Sequence, residues 1–297
     1  MVADLSRGVS GTVSRARIES HRHPLGEWLL ATRQSAPDVL ACVPQYIGYE
    51  ERSLTPIRRL EVPHPNITLI INLGAPLEVR APAHGPSGAR FGSFVAGLFD
   101  TVVVTQNTGD SCGIEMNLTP LGMWQLLGLP MHEFMNRIIP FDALIGTDGA
   151  RLEEQLRNTQ SWDDRFDLLD SKIAALLARR ASPSREVRWA VDQIARPDAA
   201  LTVSAIANEL RWSRRRLVAS FREHIGMTPK AFARITRFDR AVRRVRDGPI
   251  RRWSLLAYEC GYADQAHLTR EFREFAGLTP TEFQRRQGAG MAGIAVE

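Results

Sequence analysis

Arg214, Arg215, Arg216, Val218, Ala219 and Arg222 fall in one short stretch of the chain. Gln265, Ala266, Thr269, Arg270 and Arg273 fall in another. A guanidinium pairs bidentately with guanine, a carboxamide does so with adenine, and small apolar groups meet the thymine methyl. These are groups for reading base edges. No Ser-His-Asp or Cys-His arrangement and no glycine-rich phosphate loop is legible, so the sequence offers no catalytic site and implies no cofactor.

Such groups must be held on one face of a helix, and the surrounding sequence supplies two helices. Leu217, Phe221, Gly226, Thr228, Pro229 and Phe232 recur 51 residues later as Leu268, Phe272, Gly277, Thr279, Pro280 and Phe283. Each copy reads as a helix, a glycine stop, a threonine cap and a proline-led helix start. Upstream of each copy lies a short apolar helix and a tight turn, over 203–213 and 253–263. That is the helix-turn-helix pattern, twice. Ser213 and Asp264 read as the caps of the second helices. Leu217 with Phe221, and Leu268 with Phe272, lie four apart and point inward together. Arg215, Val218, Ala219 and Arg222 of the first stretch, and Gln265, Ala266, Thr269, Arg270 and Arg273 of the second, then face outward, and Arg214 to Arg216 begin the first of these helices. Between the units, 229–246 reads as a long helix with Phe232, Ile235, Phe238, Val242 and Val245 as its stripe. Arg237, Arg240, Arg243, Arg244 and Arg246 cover much of the rest. Such a spacer could hold two readers on successive major-groove segments, about 34 Å apart. His267 reads as a structural or phosphate-contacting residue, and Cys260 as packing.

Charge divides the chain. Residues 1–180 carry a net −3 and residues 181–297 a net +8 within the total of +5. A basic module joined to a slightly acidic one fits a nucleic-acid-binding domain tethered to another. The expected division is a domain over 1–180, a linker over 181–184, a DNA-binding domain over 185–288 and a flexible tail over 289–297. Cys42, Cys112 and Cys260 are odd in number and far apart, against a disulfide framework or a zinc site. No apolar secretory core and no run of about 18 to 20 apolar residues appears, so a cytoplasmic protein without membrane contact is expected.

The N-terminal part reads as β-rich with trailing helices. Short strands are expected over 45–49, 68–73, 77–80, 92–96, 102–105 and 112–117, separated by Pro, Gly, Asn and Asp clusters. Helices follow over 122–127, 131–137 and 161–180. In the last, Ser161 is the N-cap and Trp162, Phe166, Leu169, Ile173 and Leu176 or Leu177 are the apolar stripe. This helix is the candidate dimer face. Met123, Trp124 and Trp162 read as core rather than as a ligand pocket. His21, His23 and Glu27 resemble part of a cupin metal motif, but Arg15 stands where that motif has glycine. The segment also precedes every convincing strand and His23-Pro24 reads as a turn, so solvated chain is expected there and no metal site.

Residues 185–287 resemble the DNA-binding domain of the AraC/XylS family. The resemblance rests on Leu256, Ala257, Gly261, Tyr262, Asp264, Gln265, His267, Leu268, Arg270, Phe272, Arg273, Gly277, Leu278, Thr279, Pro280 and Phe283. It implies an α+β two-domain protein, with a cupin-like barrel or sandwich followed by an all-α, seven-helix double helix-turn-helix domain. It also implies a transcription factor binding double-stranded promoter DNA, with Arg215, Val218, Ala219, Gln265, Ala266, Thr269 and Arg270 facing bases. A small effector, a homodimer and RNA polymerase are the further partners implied. Ala219 departs from an arginine common in the family, and Leu268 from a phenylalanine. A metal-dependent enzyme domain fused to a DNA-binding domain, or a purely dimerising N-terminal domain, are the alternatives.

Overall fold

A computed structural model describes residues 15–23, 26–82, 88–196, 202–287 and 294–296. The N-terminal half is built from antiparallel strands β1 (Arg17–His23), β2 (Gly26–Gln34), β3 (Gln45–Ser53), β4 (Arg58–Glu61), β5 (Ile67–Asn72), β6 (Leu77–Arg80), β7 (Ala89–Phe91), β8 (Phe94–Ala96), β9 (Val103–Gln106), β10 (Asp110–Leu118) and β11 (Ile138–Pro140). With β12 (Ile294–Val296) they form two sheets, in the orders β1-β2-β3-β10-β5-β8-β11 and β12-β4-β9-β6-β7. Ile70, Phe94 and Ile138 of the first sheet pack with Val79, Phe91 and Val103 of the second.

Helices α1 (Pro120–Leu127), α2 (Phe141–Ile145), α3 (Thr147–Asn158) and α4 (Trp162–Leu177) follow, with a 3-10 turn at Met131–Phe134. The Ser161 hydroxyl caps α4 by accepting from Asp164 N–H. The α4 stripe lies on the outer face of the first sheet. Phe166 stacks on Tyr46 at 5.3 Å, and Trp162 covers Gly48, where a Cβ would stand 2.3 Å from its ring. Arg33, its side chain 2% exposed, ties β2 to α4 through Asp167 at 2.6 Å and Asp170 at 2.8 Å. Asp170 also accepts from the Tyr46 hydroxyl at 2.7 Å and from Ala36 N–H at 3.0 Å. The stripe offered as a dimer face is therefore buried within the chain; Ser171, Lys172 and Leu176 remain exposed on α4.

Several expectations need correction. The segment around His21, His23 and Glu27 is a β-hairpin rather than solvated chain, with His21 opposite Trp28 and Arg22 opposite Glu27; Pro24 lies outside the described residues. Residues 131–137 do not form one helix, because Asn136 adopts φ 56° and the chain turns into β11. Of the strand expected over 92–96 only Phe94–Ala96 is extended, as β8, with a bend at Gly92 and Ser93 separating it from β7. Helices α2 and α3 were not anticipated. Residues 294–296, placed in a flexible tail, pair with β4; the rest of 288–297 lies outside the described residues.

The C-terminal half holds α5 (Arg185–Ala195), α6 (Val203–Glu209), α7 (Arg214–His224), α8 (Pro229–Arg246), α9 (Trp253–Glu259), α10 (Gln265–Ala276) and α11 (Pro280–Arg286), the seven helices the resemblance implies. Thr228 and Thr279 cap α8 and α11, each with proline in the first turn. One apolar core runs through both halves. Met123, Met131 and Phe134 belong to the same buried cluster as Leu217, Phe221 and Ile225.

Candidate nucleic-acid interface

Each second helix is held by a cap at one end and an apolar pair along its inner side. The Ser213 hydroxyl accepts from Arg216 N–H at 3.1 Å, and the Asp264 carboxylate accepts from His267 N–H at 2.7 Å. Leu217, Phe221, Leu268 and Phe272 are buried completely or nearly so. That fixes which residues remain outside. On α7, Arg214, Arg215, Arg216, Ala219 and Arg222 are exposed and Val218 is half-buried. On α10, Gln265, Ala266, Arg270 and Arg273 are exposed and Thr269 is half-buried. These five residues of α10 line a single open concavity.

The arginines sort into two groups. Those of α8, Arg246 apart, are engaged within the protein. Arg237 reaches Glu271 at 2.9 Å, Arg243 pairs with Asp239 at 2.8 Å, Arg244 with Glu259 at 3.1 Å, and Arg240 donates to Ala195 O at 3.2 Å. Arg214, Arg215, Arg222, Arg270 and Arg273 have no carboxylate partner among the described residues. Arg216 lies over the Trp212 ring at 4.4 Å, which separates it from its neighbours. Thr269 donates its hydroxyl to Gln265 O at 2.9 Å, leaving its methyl group and oxygen lone pairs at the surface.

Glu271, 3% exposed, is the pivot beneath α10. It accepts from Arg234 Nε and Arg237 Nη2, both at 2.9 Å, and His267 approaches at 3.6 Å. Burial pushes its pKa up, but the Arg234 hydrogen bond and the Arg237 charge outweigh burial and hold it below the usual carboxylate range. Tyr262 packs edge-on against His267 at 5.2 Å and under Arg237 at 4.8 Å. His267 is thus part of the support for α10. Sequence reasoning missed Glu271 because its partners lie 34 and 37 residues away.

The first unit is also braced against the N-terminal half. Trp124 lies 4.5 Å from the His224 ring, and a Cβ on Gly226 would stand 2.8 Å from Met131 O. At the far end of α8, Arg246 and Arg243 face His64. Burial, then those two charges, lower its pKa to about 4.

In the hairpin, His21 stacks on Trp28 at 5.8 Å and Glu27 pairs with Arg22 at 3.0 Å. No group of three or more metal-ligating side chains occurs among the described residues. Nor, among them, is any helix long and apolar enough to cross a membrane.

The "Helix-turn-helix domain" family matches residues 206–286, and "Domain of unknown function (DUF6597)" matches residues 34–140. No curated protein matches the chain. Among solved structures, ToxT from Vibrio cholerae is similar at 11% identity and a TM-score of 0.45, covering 81% of this chain and 97% of that one. The C-terminal domain of AraT, a response regulator from Geobacillus stearothermophilus, is similar at 20% identity and a TM-score of 0.32, covering 37% and 93%. The AraC-like transcriptional activator CuxR is similar at 14% identity and a TM-score of 0.32, covering 82% and 85%. The C-terminal region is an AraC-type helix-turn-helix domain. The chain is a DNA-binding transcription regulator.

Proposed function

We propose that the protein reads paired operator segments by placing α7 in one major groove and α10 in the next, with α8 as the spacer between them. The observation that carries this reading is the sorting of arginines. Internal partners hold Arg234, Arg237, Arg240, Arg243 and Arg244 of α8, whereas the arginines on the outer faces of α7 and α10 are exposed without carboxylate partners among the described residues. In this reading Arg215, Val218, Ala219, Gln265, Ala266, Thr269 and Arg270 meet base edges. Arg214, Arg222 and Arg273 meet flanking phosphates, which position the helices without reading sequence. Arg216, turned onto Trp212, contributes only through its charge.

The N-terminal domain receives a small effector and joins two copies of the chain. Polar side chains on the strands of both sheets support a small-molecule role: Thr68 donates to Asn117, Asn117 to Glu115, and Thr105 to Glu61. An effector changes DNA binding only by favouring one conformational state over another. The protein acts on promoters in the cytoplasm, alongside RNA polymerase, and we assign it no catalytic step. Selection of the full chain on a random duplex library at two salt concentrations tests this. Enrichment of paired motifs about 10 base pairs apart is expected. Binding without enrichment would leave a non-specific basic module and defeat the proposal.

A further inference from the structure

Arg211 stands in the turn of the first helix-turn-helix unit with φ 53°. A residue with a β-carbon is disfavoured in the left-handed region, where glycine is at ease. The second unit shows what this turn prefers. Gly261, at φ 78°, donates to Tyr258 O at 3.0 Å, as Arg211 donates to Asn208 O at 3.0 Å. The following residues, Tyr262 and Trp212, donate to Ala257 O and Ala207 O at 2.8 and 2.9 Å. The two turns share one hydrogen-bond frame, and Arg211 occupies the glycine position.

Among the described residues, Asn136 is the other non-glycine residue with positive φ, at 56°. Its conformation has a local reason. Its N–H donates to Leu98 O, its side-chain oxygen accepts from Asp100 N–H, and asparagine tolerates this region. Arg211 shares the turn's backbone bond to Asn208 O but has no comparable reason in its side chain. Its side chain is exposed and finds no partner among the described residues, and it lies two residues before the Ser213 cap, beside Arg214 and Arg215. A strained residue at a binding surface points to a role that offsets the strain.

We propose that Arg211 is a phosphate-positioning residue that holds the DNA backbone at the edge of the groove entered by α7. The inference rests on the DNA-reading geometry above and adds a contact outside both helices. A backbone contact of this kind acts alike on every sequence and steepens the dependence of binding on salt.

The test compares full-length wild type, Arg211→Gly and Arg211→Lys. The probes are a duplex enriched from the random library and a random-sequence duplex of equal length, each titrated over a range of salt. Arg211→Gly should raise Tm by about 2 °C by relieving the backbone. It should weaken binding to both duplexes by a similar factor, about five- to tenfold near 0.1 M salt, and reduce the salt slope by about 0.9. Arg211→Lys should keep the slope. A glycine variant with raised Tm and unchanged affinity and slope would return Arg211 to solvent. A lowered Tm would remove the strain argument, and a loss confined to the enriched duplex would make Arg211 a base reader instead. A wild type that bound neither duplex would defeat the DNA reading, and this assignment with it.

Discussion

Replacing Gly226 with alanine should cost more than the same change at Gly277, and the excess measures how firmly the first unit sits on the N-terminal domain. The two glycines are equivalents in the repeat, and each follows a recognition helix. Gly277 has φ 69° and open space where a Cβ would stand. Alanine there costs only the left-handed backbone, about 1 kcal/mol. Gly226 has φ 100°, and its Cβ would lie 2.8 Å from Met131 O and 3.2 Å from the carbonyl carbon. That carbonyl cannot easily swing away, because Met131 is 1% exposed and packed in the shared core. Overpacking adds about 1 to 3 kcal/mol to the backbone cost. Gly226→Ala should therefore lose about 2 to 4 kcal/mol and lower Tm by roughly 5 to 10 °C, against roughly 2 to 4 °C for Gly277→Ala. Denaturant unfolding of both variants gives the difference directly. Amide exchange over residues 120–134 should quicken in Gly226→Ala alone. Equal costs with unchanged exchange would show that the Met131 contact does not constrain the first unit.

Glu271→Gln should cost about 2 kcal/mol by weakening two charge-assisted hydrogen bonds, with the loss moderated because Arg234 and Arg237 are partly exposed. The folded pKa of Glu271 is depressed, so its stabilisation is fully present above its unfolded pKa and fades as pH falls through the lower folded value. The gap between wild type and Glu271→Gln should close on acidification below about pH 4; a gap independent of pH would contradict the ion-pair account. Asp170→Ala removes the acceptor shared by Arg33, Tyr46 and Ala36, and should cost about 3 to 5 kcal/mol in thermal or urea unfolding. A loss under 1 kcal/mol would mean that water replaces the carboxylate there. Arg270→Ala should relax specificity at one base pair by about 1 to 3 kcal/mol, whereas Arg243→Ala, already paired with Asp239, should leave the salt slope of binding unchanged. Uniform weakening by the first variant, or a flattened slope in the second, would reverse those assignments.

The C-terminal domain was legible because its information is local. Caps, glycine stops and four-residue apolar spacings lie within a turn or two of each other, so Ser213, Asp264, Leu217 and Phe272 could be placed from sequence. The N-terminal errors arose where information is not local. In β2, Arg33 interrupts the apolar alternation, and its burial makes sense only once Asp167 and Asp170, over 130 residues away, pack against it. Helix α3 carries five charged residues in twelve and buries only Gly149 and Leu156, too little apolar signal for its period to show. The outward faces of α7 and α10 could be counted from the repeat. The internal engagement of the α8 arginines could not, since Glu271 and Glu259 approach from other helices.

The two recognition helices are supported unequally, and this makes a distinction that single-site binding would miss. Helix α7 touches the N-terminal half directly, through His224 on Trp124 and Gly226 against Met131. Helix α10 is fastened to α8, through Glu271 and through Phe238 against Phe272 and Phe275 at 5.0 and 5.1 Å. The relation of α7 to α10 therefore depends on α8 and on the docking of the first unit. Two linked readers gain affinity only when their spacing matches the site, whereas either reader alone is indifferent to it. Loosening the Gly226 contact should then leave affinity for a duplex carrying one half-site unchanged, while lowering affinity for the paired site about three- to tenfold. Titrating wild type and Gly226→Ala against both duplexes gives the ratio. If the ratio is the same in both proteins, α8 alone sets the spacing and the N-terminal domain has no mechanical hold on it.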